Sequence, residues 1–201
     1  ELGPGEGHGT VALLAHAPAS VVAVEVSPLF RKMLRGGSEG GGPEGALAGA
    51  LGSGLLTLLE DDAVEMPSVG SASVDYILSM NVVYFLRPLE AYLAEFLRVL
   101  KPGGWIIFGT KPAGAKYFPK ELNVDNEAVR AAMAAAGFQD TAVAPIRLDM
   151  ETPAAWEPVV GRKPEDASCA PGAAPKAGAA AAATAAMITP DTIAAPAGGT
   201  A

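Results

Sequence analysis

Glycine fills every second position from Gly3 to Gly9 in the opening stretch ELGPGEGHGT, with Pro4, Glu6 and His8 between. Such a run makes neither a regular strand nor a helix, because glycine loses the most backbone freedom on ordering and proline removes a donor. It suits a tight strand-to-helix turn, in which backbone approaches a ligand where a Cβ would collide. A chain with this turn ahead of a β-branched run is directed toward alternating strands and helices around a parallel sheet.

The rest of the chain follows that alternation. Residues 21–26 (VVAVEV) read as a short buried strand, and 28–35 (PLFRKMLR) as a helix with a basic end. The stretch GGSEGGGPEG reads as a flexible loop, and LLTLL at 55–59 as another short apolar run. VDYILS at 74–79 is a further strand. Residues 89–100 place Leu89, Leu93, Phe96, Leu97 and Leu100 on one helical stripe. KPGG is expected to stop that helix, with WIIFG following as a strand. Residues 126–136 are helical and end at Gly137, and the runs 141–148 and 156–161 form a hairpin-like pair.

Composition sets the boundaries. The 201 residues are half hydrophobic, enough for one ordinary core. Residues 1–164 carry the apolar runs, whereas 165–201 are Ala/Pro/Gly-rich with no large apolar face and read as a disordered tail. A net charge of −8 disfavours nucleic acid and anionic membrane surfaces as partners. The single cysteine, Cys169, excludes an internal disulfide framework and fits a reducing compartment. No stretch reads as a membrane span or a signal peptide, so a soluble, cytoplasmic protein is expected, with any N-terminal targeting signal lost. No His/Cys cluster has metal-ligand spacing, and no metal is expected.

The dinucleotide fingerprint G-x-G-x-x-G fails in both registers, because His8 and Thr10 stand where the third glycine belongs. What fits is E-x-G-x-G-x-G across Glu1, Gly3, Gly5 and Gly7. Glu25, at the end of VVAVEV, can accept hydrogen bonds from ribose hydroxyls, and Ser27 can cap the next helix.

The segments ELGPGEG, VVAVEVSP, EDDAVEMP, VDYILSMNVVYFL and AEFLRVLKPGGWIIFG resemble, in order and spacing, class I S-adenosylmethionine-dependent methyltransferases of the type 11 group. The resemblance covers residues 1–164. It implies a Rossmann-like, doubly wound α/β fold with a mostly parallel sheet and a late antiparallel strand. It further implies methyl transfer from S-adenosyl-L-methionine to an unidentified small-molecule acceptor. By matching position, Glu1, Gly3, Gly5 and Gly7 surround the methionine part of the cofactor and Glu25 holds the ribose. Asp62 and Ala63 approach the adenine, with Glu60 and Asp61 adjoining, and Asn81 lies beside the cofactor near the substrate opening. In that family a helix and most of the first strand precede the acid. The resemblance therefore implies an N-terminally truncated chain whose first strand is largely missing and which folds poorly alone.

No catalytic base is assigned; His8, His16, Tyr84 and Tyr117 are the titratable candidates. Tyr84 and Phe85 either line the acceptor pocket or belong to the core. Two alternatives remain: a module that binds the cofactor without transferring the methyl group, and a nicotinamide-dependent oxidoreductase, which lacks its fingerprint here. Deleting residues 165–201 is expected to leave cofactor affinity and melting temperature unchanged. A fall of several degrees in a thermal melt would contradict that reading of the tail.

Overall fold

The computed structural model describes residues 1–36, 44–110, 125–144 and 156–165. Helix α1 (His8–Ala15) leaves the glycine turn and leads to β1 (Val21–Val24) and α2 (Pro28–Leu34). Next come α3 (Glu44–Ser53), β2 (Leu56–Leu59), β3 (Val74–Met80), a short 3-10 turn (Val83–Phe85) and α4 (Leu89–Val99). The series ends with β4 (Leu100–Gly109), α5 (Asn126–Ala136), β5 (Gln139–Val143) and β6 (Val159–Arg162).

Strand β1 pairs in parallel with β2, and β3 in parallel with β4. Strand β6 runs antiparallel between β4 and β5. Leu2 joins the two halves, pairing in parallel with Val24 on one side and Ser79 on the other. Its nitrogen donates to the Leu78 carbonyl at 2.8 Å, while Gly3 N donates to Val24 O and Val24 N to Glu1 O, each at 2.9 Å. The order is thus β2-β1-Leu2-β3-β4-β6-β5, the doubly wound α/β arrangement with a late antiparallel strand.

The stripe on α4 buries Leu89, Leu93, Phe96 and Val99 against Ile77, Ile106 and Phe108 of the sheet and Val129 and Met133 of α5. A second cluster covers β1 and β2 with Leu34, Leu47 and Ala50. Helix α2 starts where expected, Ser27 Oγ accepting from Phe30 N at 3.4 Å. Helix α5 is capped by Asp125, whose carboxylate accepts from Glu127 N and Ala128 N at 3.0 and 3.1 Å, and it ends at Gly137 with φ +108°.

Two elements differ from expectation. Helix α3 forms within and after a stretch read as loop. Its glycines Gly45, Gly49 and Gly52 weaken helix propensity, but Leu47 at 1 % exposure and Ala50, three residues apart, reach the same cluster. Tertiary burial overrides propensity there. KPGG, expected as a stop, lies inside β4. The register between β3 and β4 shifts, Val74 facing Leu100 but Tyr76 facing Trp105, so the extra residues loop out as a bulge. Gly103 there has φ +77°, and a Cβ on Gly104 would stand 2.9 Å from the Asp75 carbonyl. The hairpin-like pair is present as β5 and β6. Residues 145–155 and the tail from 166 onward lie outside the described residues.

Phe96 is fully buried and meets Phe108 with ring centroids 6.2 Å apart. Phe96→Ala is expected to lower stability by about 3–5 kcal/mol in denaturant titration. Glu90→Ala, at an exposed position of the same helix, should change it by less than about 0.5 kcal/mol.

Candidate functional site

In an open α/β sheet, ligands bind outside the carboxyl ends of the strands where strand order reverses. Here the reversal lies at residues 1–3: the chain passes to β1 and β2 on one side and to β3 and β4 on the other. The crevice therefore opens at the turn from Gly3 to Gly7, flanked by Glu25 after β1 and Asn81 after β3. Of the sequence-derived residues, Glu1, Gly3, Gly5, Gly7, Glu25 and Asn81 come together around this reversal.

The turn is left-handed at Gly3, Gly5 and Gly7, with φ of +59°, +56° and +90°. Among the described residues an added Cβ at Gly5 would meet nothing within 4 Å, whereas at Gly3 it would strike the Val82 side chain at 2.6 Å. Gly5 thus presents bare backbone to open space, and Gly3 permits close packing on the loop after β3.

A carboxylate holds each side of the turn. Glu25 is 5 % exposed; its Oε2 accepts from Gly5 N at 3.2 Å and its Oε1 from Ser27 N at 2.8 Å. Glu1 Oε2 accepts from the hydroxyl of buried Thr10 at 2.5 Å, fastening the strand to the first turn of α1. Burial raises the Glu1 carboxyl above the ordinary range, against the lowering effect of the Thr10 hydrogen bond. Gly9 admits this carboxylate, since a Cβ there would collide with it. Glu6 instead lies out on the turn, where it faces exposed His8 at 3.5 Å.

Asn81 is itself left-handed, φ +58°, and its nitrogen donates to Gly109 O at 2.9 Å. Among the described residues its Oδ1 is buried without a partner. A buried acceptor left unmatched beside a ligand crevice is suited to a ligand's donor.

The three acids after β2 have different engagements. Glu60 faces Arg31 at 3.1 Å and Arg35 at 3.7 Å. Asp61 accepts from the nitrogen and hydroxyl of Ser68 at 3.0 and 3.1 Å. Asp62 accepts from Val64 N at 3.1 Å and is exposed, and neighbouring Ala63 packs partly against the core. The loop that follows is tied down from α4. Arg98 Nη2 donates to Met66 O and Val69 O, both at 2.9 Å, and Met66 N donates to Glu95 Oε1 at 2.6 Å.

Several positioning residues escaped the sequence reading. Arg31 read as a basic helix end, yet its Nη1 donates to Glu25 O at 2.8 Å and Val26 O at 2.7 Å, steadying the chain beside the Glu25 carboxylate. Thr10 carried no motif, and Glu95 and Arg98 stood inside the segment AEFLRVLKPGG without a role of their own. Of the titratable candidates, His8 and His16 are exposed and Tyr84 is 2 % exposed within the core, while its neighbour Phe85 is 61 % exposed. Tyr117 and Cys169 lie outside the described residues.

A family model described as a methyltransferase domain matches residues 1–108. No curated protein matches the chain. Among solved structures, a chain of the complex between the Haloferax volcanii Trm112 methyltransferase activator and a methyltransferase is similar at TM-score 0.61 and 20% identity, over 81% of this chain and 80% of that one. A SAM-dependent methyltransferase from Aquifex aeolicus is similar at 0.56 and 17%, over 80% and 79% of the two chains. Haemonchus contortus phosphoethanolamine N-methyltransferase 2, in complex with phosphomonomethylethanolamine and S-adenosylhomocysteine, is similar at 0.61 and 15%, over 81% and 48%. At these identities the likeness is one of fold.

The α4 tether has a pH signature. Hydrogen bonding to Arg98 holds the Glu95 carboxyl below its ordinary value. A depressed carboxyl contributes stability that is present above its unfolded pKa and is lost as pH falls through the folded one. Glu95→Gln should therefore melt below the parent at neutral pH, with the gap closing as pH falls through and below the ordinary carboxylate range. A gap independent of pH would remove the tether from acid stability.

Proposed function

The chain belongs to the methyltransferase-domain family, and S-adenosylmethionine-dependent methyl transfer is its activity; on that premise we propose that the acceptor is a small molecule received beside Asn81. The observation that carries the reading is the turn at the strand-order reversal. Gly5 offers bare backbone to open space, and its amide is latched by a buried carboxylate at the end of the neighbouring strand.

In this reading the backbone of Gly3, Gly5 and Gly7, with Glu1 behind it, cradles the methionine portion of the cofactor. Glu25 takes the ribose hydroxyls. Two carboxylate oxygens offer about four lone-pair positions, and Gly5 N and Ser27 N occupy two of them, so a diol has acceptors left. Asp62 receives the adenine amine and Ala63 lies against the ring; support for Asp62 is its exposure, since Glu60 and Asp61 are engaged by arginines and by Ser68. Asn81 Oδ1 accepts from the methionyl amine or the acceptor.

When bound, the cofactor supplies a methyl group made electrophilic by its sulfonium. The protein's contribution is alignment: the left-handed turn and the latched carboxylates hold one reactant, and the loop from Asn81 to Phe85 borders the other. Orientation of this kind can lower a barrier by up to about 7–11 kcal/mol in the best intramolecular cases.

Isothermal titration of the chain with S-adenosylmethionine and S-adenosylhomocysteine tests the assignment. Saturable binding of both is expected wherever a cooperative melt shows the chain folded, with none of NAD(H). Glu25→Ala should weaken binding by at least about tenfold, given hydrogen bonds to a charged acceptor, and Glu6→Ala by less than about twofold. Equal effects would remove Glu25 from the ribose site.

A further inference from the structure

Arg98, near the end of α4, spreads its guanidinium over the loop that leads from β2 to β3. Nη2 donates to Met66 O and Val69 O, both at 2.9 Å, and Nη1 to Ser71 Oγ at 3.0 Å. Nε and Nη2 also meet the two Glu95 oxygens, each at 2.7 Å, so the charge is balanced within the helix. Glu95 Oε1 in turn accepts from Met66 N at 2.6 Å. Both backbone polar groups of Met66 are therefore committed to α4, and its side chain is buried in the main core.

Directly ahead of Met66 stands the turn 62–65, closed by Glu65 N donating to Asp62 O at 2.9 Å. Its other end is held as well, because the Asp61 carboxylate accepts from Ser68 N and Ser68 Oγ. The turn thus runs between two fixed points, Asp61 and Met66. Within it Val64 N donates to Asp62 Oδ1 at 3.1 Å, which sets the direction of that side chain. Asp62 is exposed, and its two oxygens offer acceptor positions beyond the one Val64 uses.

Fixing the turn has a consequence for what Asp62 accepts. Adenine presents an amine donor, whereas its 6-oxo counterpart, hypoxanthine, presents a carbonyl oxygen at the same place. A carboxylate held still accepts from the first and repels the second; one free to swing away tolerates both. Arginine suits the holding role, since its planar fork of five donors spans Met66, Val69, Ser71 and Glu95 together. Lysine has the same charge but a flexible point-like donor group.

Resting on the reading of Asp62 as partner of the adenine amine, we infer that Arg98 is a positioning residue for base selectivity. By gripping Met66 and Val69 it fixes the turn 62–65, so that the cofactor site takes adenine and rejects the 6-oxo base.

The full chain is titrated calorimetrically with S-adenosylhomocysteine and with S-inosylhomocysteine, and the ratio of the two dissociation constants is read. The parent should favour the adenosyl ligand by at least about tenfold, the scale of one charge-assisted hydrogen bond. Asp62→Ala should remove most of that preference. Arg98→Lys should lower the ratio by at least about threefold, and should lower it no further when added to Asp62→Ala. Arg162→Lys, which disturbs the ion pair with Asp140 on β5, should lower the melting temperature and leave the ratio alone. Ser71→Ala removes one partner of the fork at an exposed position and should lower the ratio by about twofold or more. It decides the matter if Arg98→Lys shows no cooperative melt. A loss of affinity equal for both ligands, with the ratio unchanged, is what a merely structural Arg98 would give, and it overturns the inference. Failure of S-adenosylhomocysteine to bind removes the crevice reading and this inference with it. A ratio indifferent to Asp62→Ala removes the adenine role of Asp62 and again this inference; one that responds to Asp62→Ala but not to Arg98→Lys removes the inference alone.

Discussion

The backbone pairing of Leu2 is what the remaining architecture depends on. Its hydrogen bond to Leu78, the pair linking Gly3 and Glu1 to Val24, and the bond from Glu1 N to Val22 O join β1–β2 and β3–β4–β6–β5 into one sheet. Leu2 is only 3 % exposed and belongs to the main core, so the seam is apolar on its faces as well as hydrogen-bonded along its edges. A parallel sheet needs that burial, because both faces lie inside the fold. The seam is also where strand order reverses, so the same few residues set the sheet and aim the turn.

Electrostatics then follow from position. Glu1 and Glu25 lie to either side of the turn, and the described side-chain and amide donors to both are neutral. Thr10 serves the first; the amides of Gly5 and Ser27 serve the second. Arg31 approaches the end of β1 through carbonyl oxygens and directs its remaining charge to Glu60. The buried Glu25 carboxylate, held by amides alone among the described donors, is suited to a sulfonium-bearing cofactor.

The fold was largely legible because its signals are local. The α4 stripe, the Ser27 cap and the Gly137 stop each depend on residues a few positions apart. Helix α3 was not legible, since its glycines hide a buried face that only β2 and α2 make worthwhile. KPGG follows the end of α4 as expected, but its place inside β4 was missed, because proline and glycine punctuate a helix end and a bulge alike and only the pairing with β3 shows the bulge. Within the site, the glycine turn and Glu25 were visible as a pattern. Arg98 was not, because it reaches Met66 across 32 residues. Arg31 was not, because a basic residue near a helix end reads the same whether or not it turns back to the carbonyls of Glu25 and Val26.

Glu25 joins two backbone amides from separate segments, one before β1 and one after it, through its two carboxylate oxygens. That makes side-chain length a gauge of the crevice. Aspartate has the same charge and the same oxygens, but its arm is one methylene shorter, so it could reach Ser27 or Gly5 and not both in this backbone. The turn and the strand end would lose their common fastening while the chain kept its net charge. At this position reach, rather than acidity, is what sequence variation has to preserve.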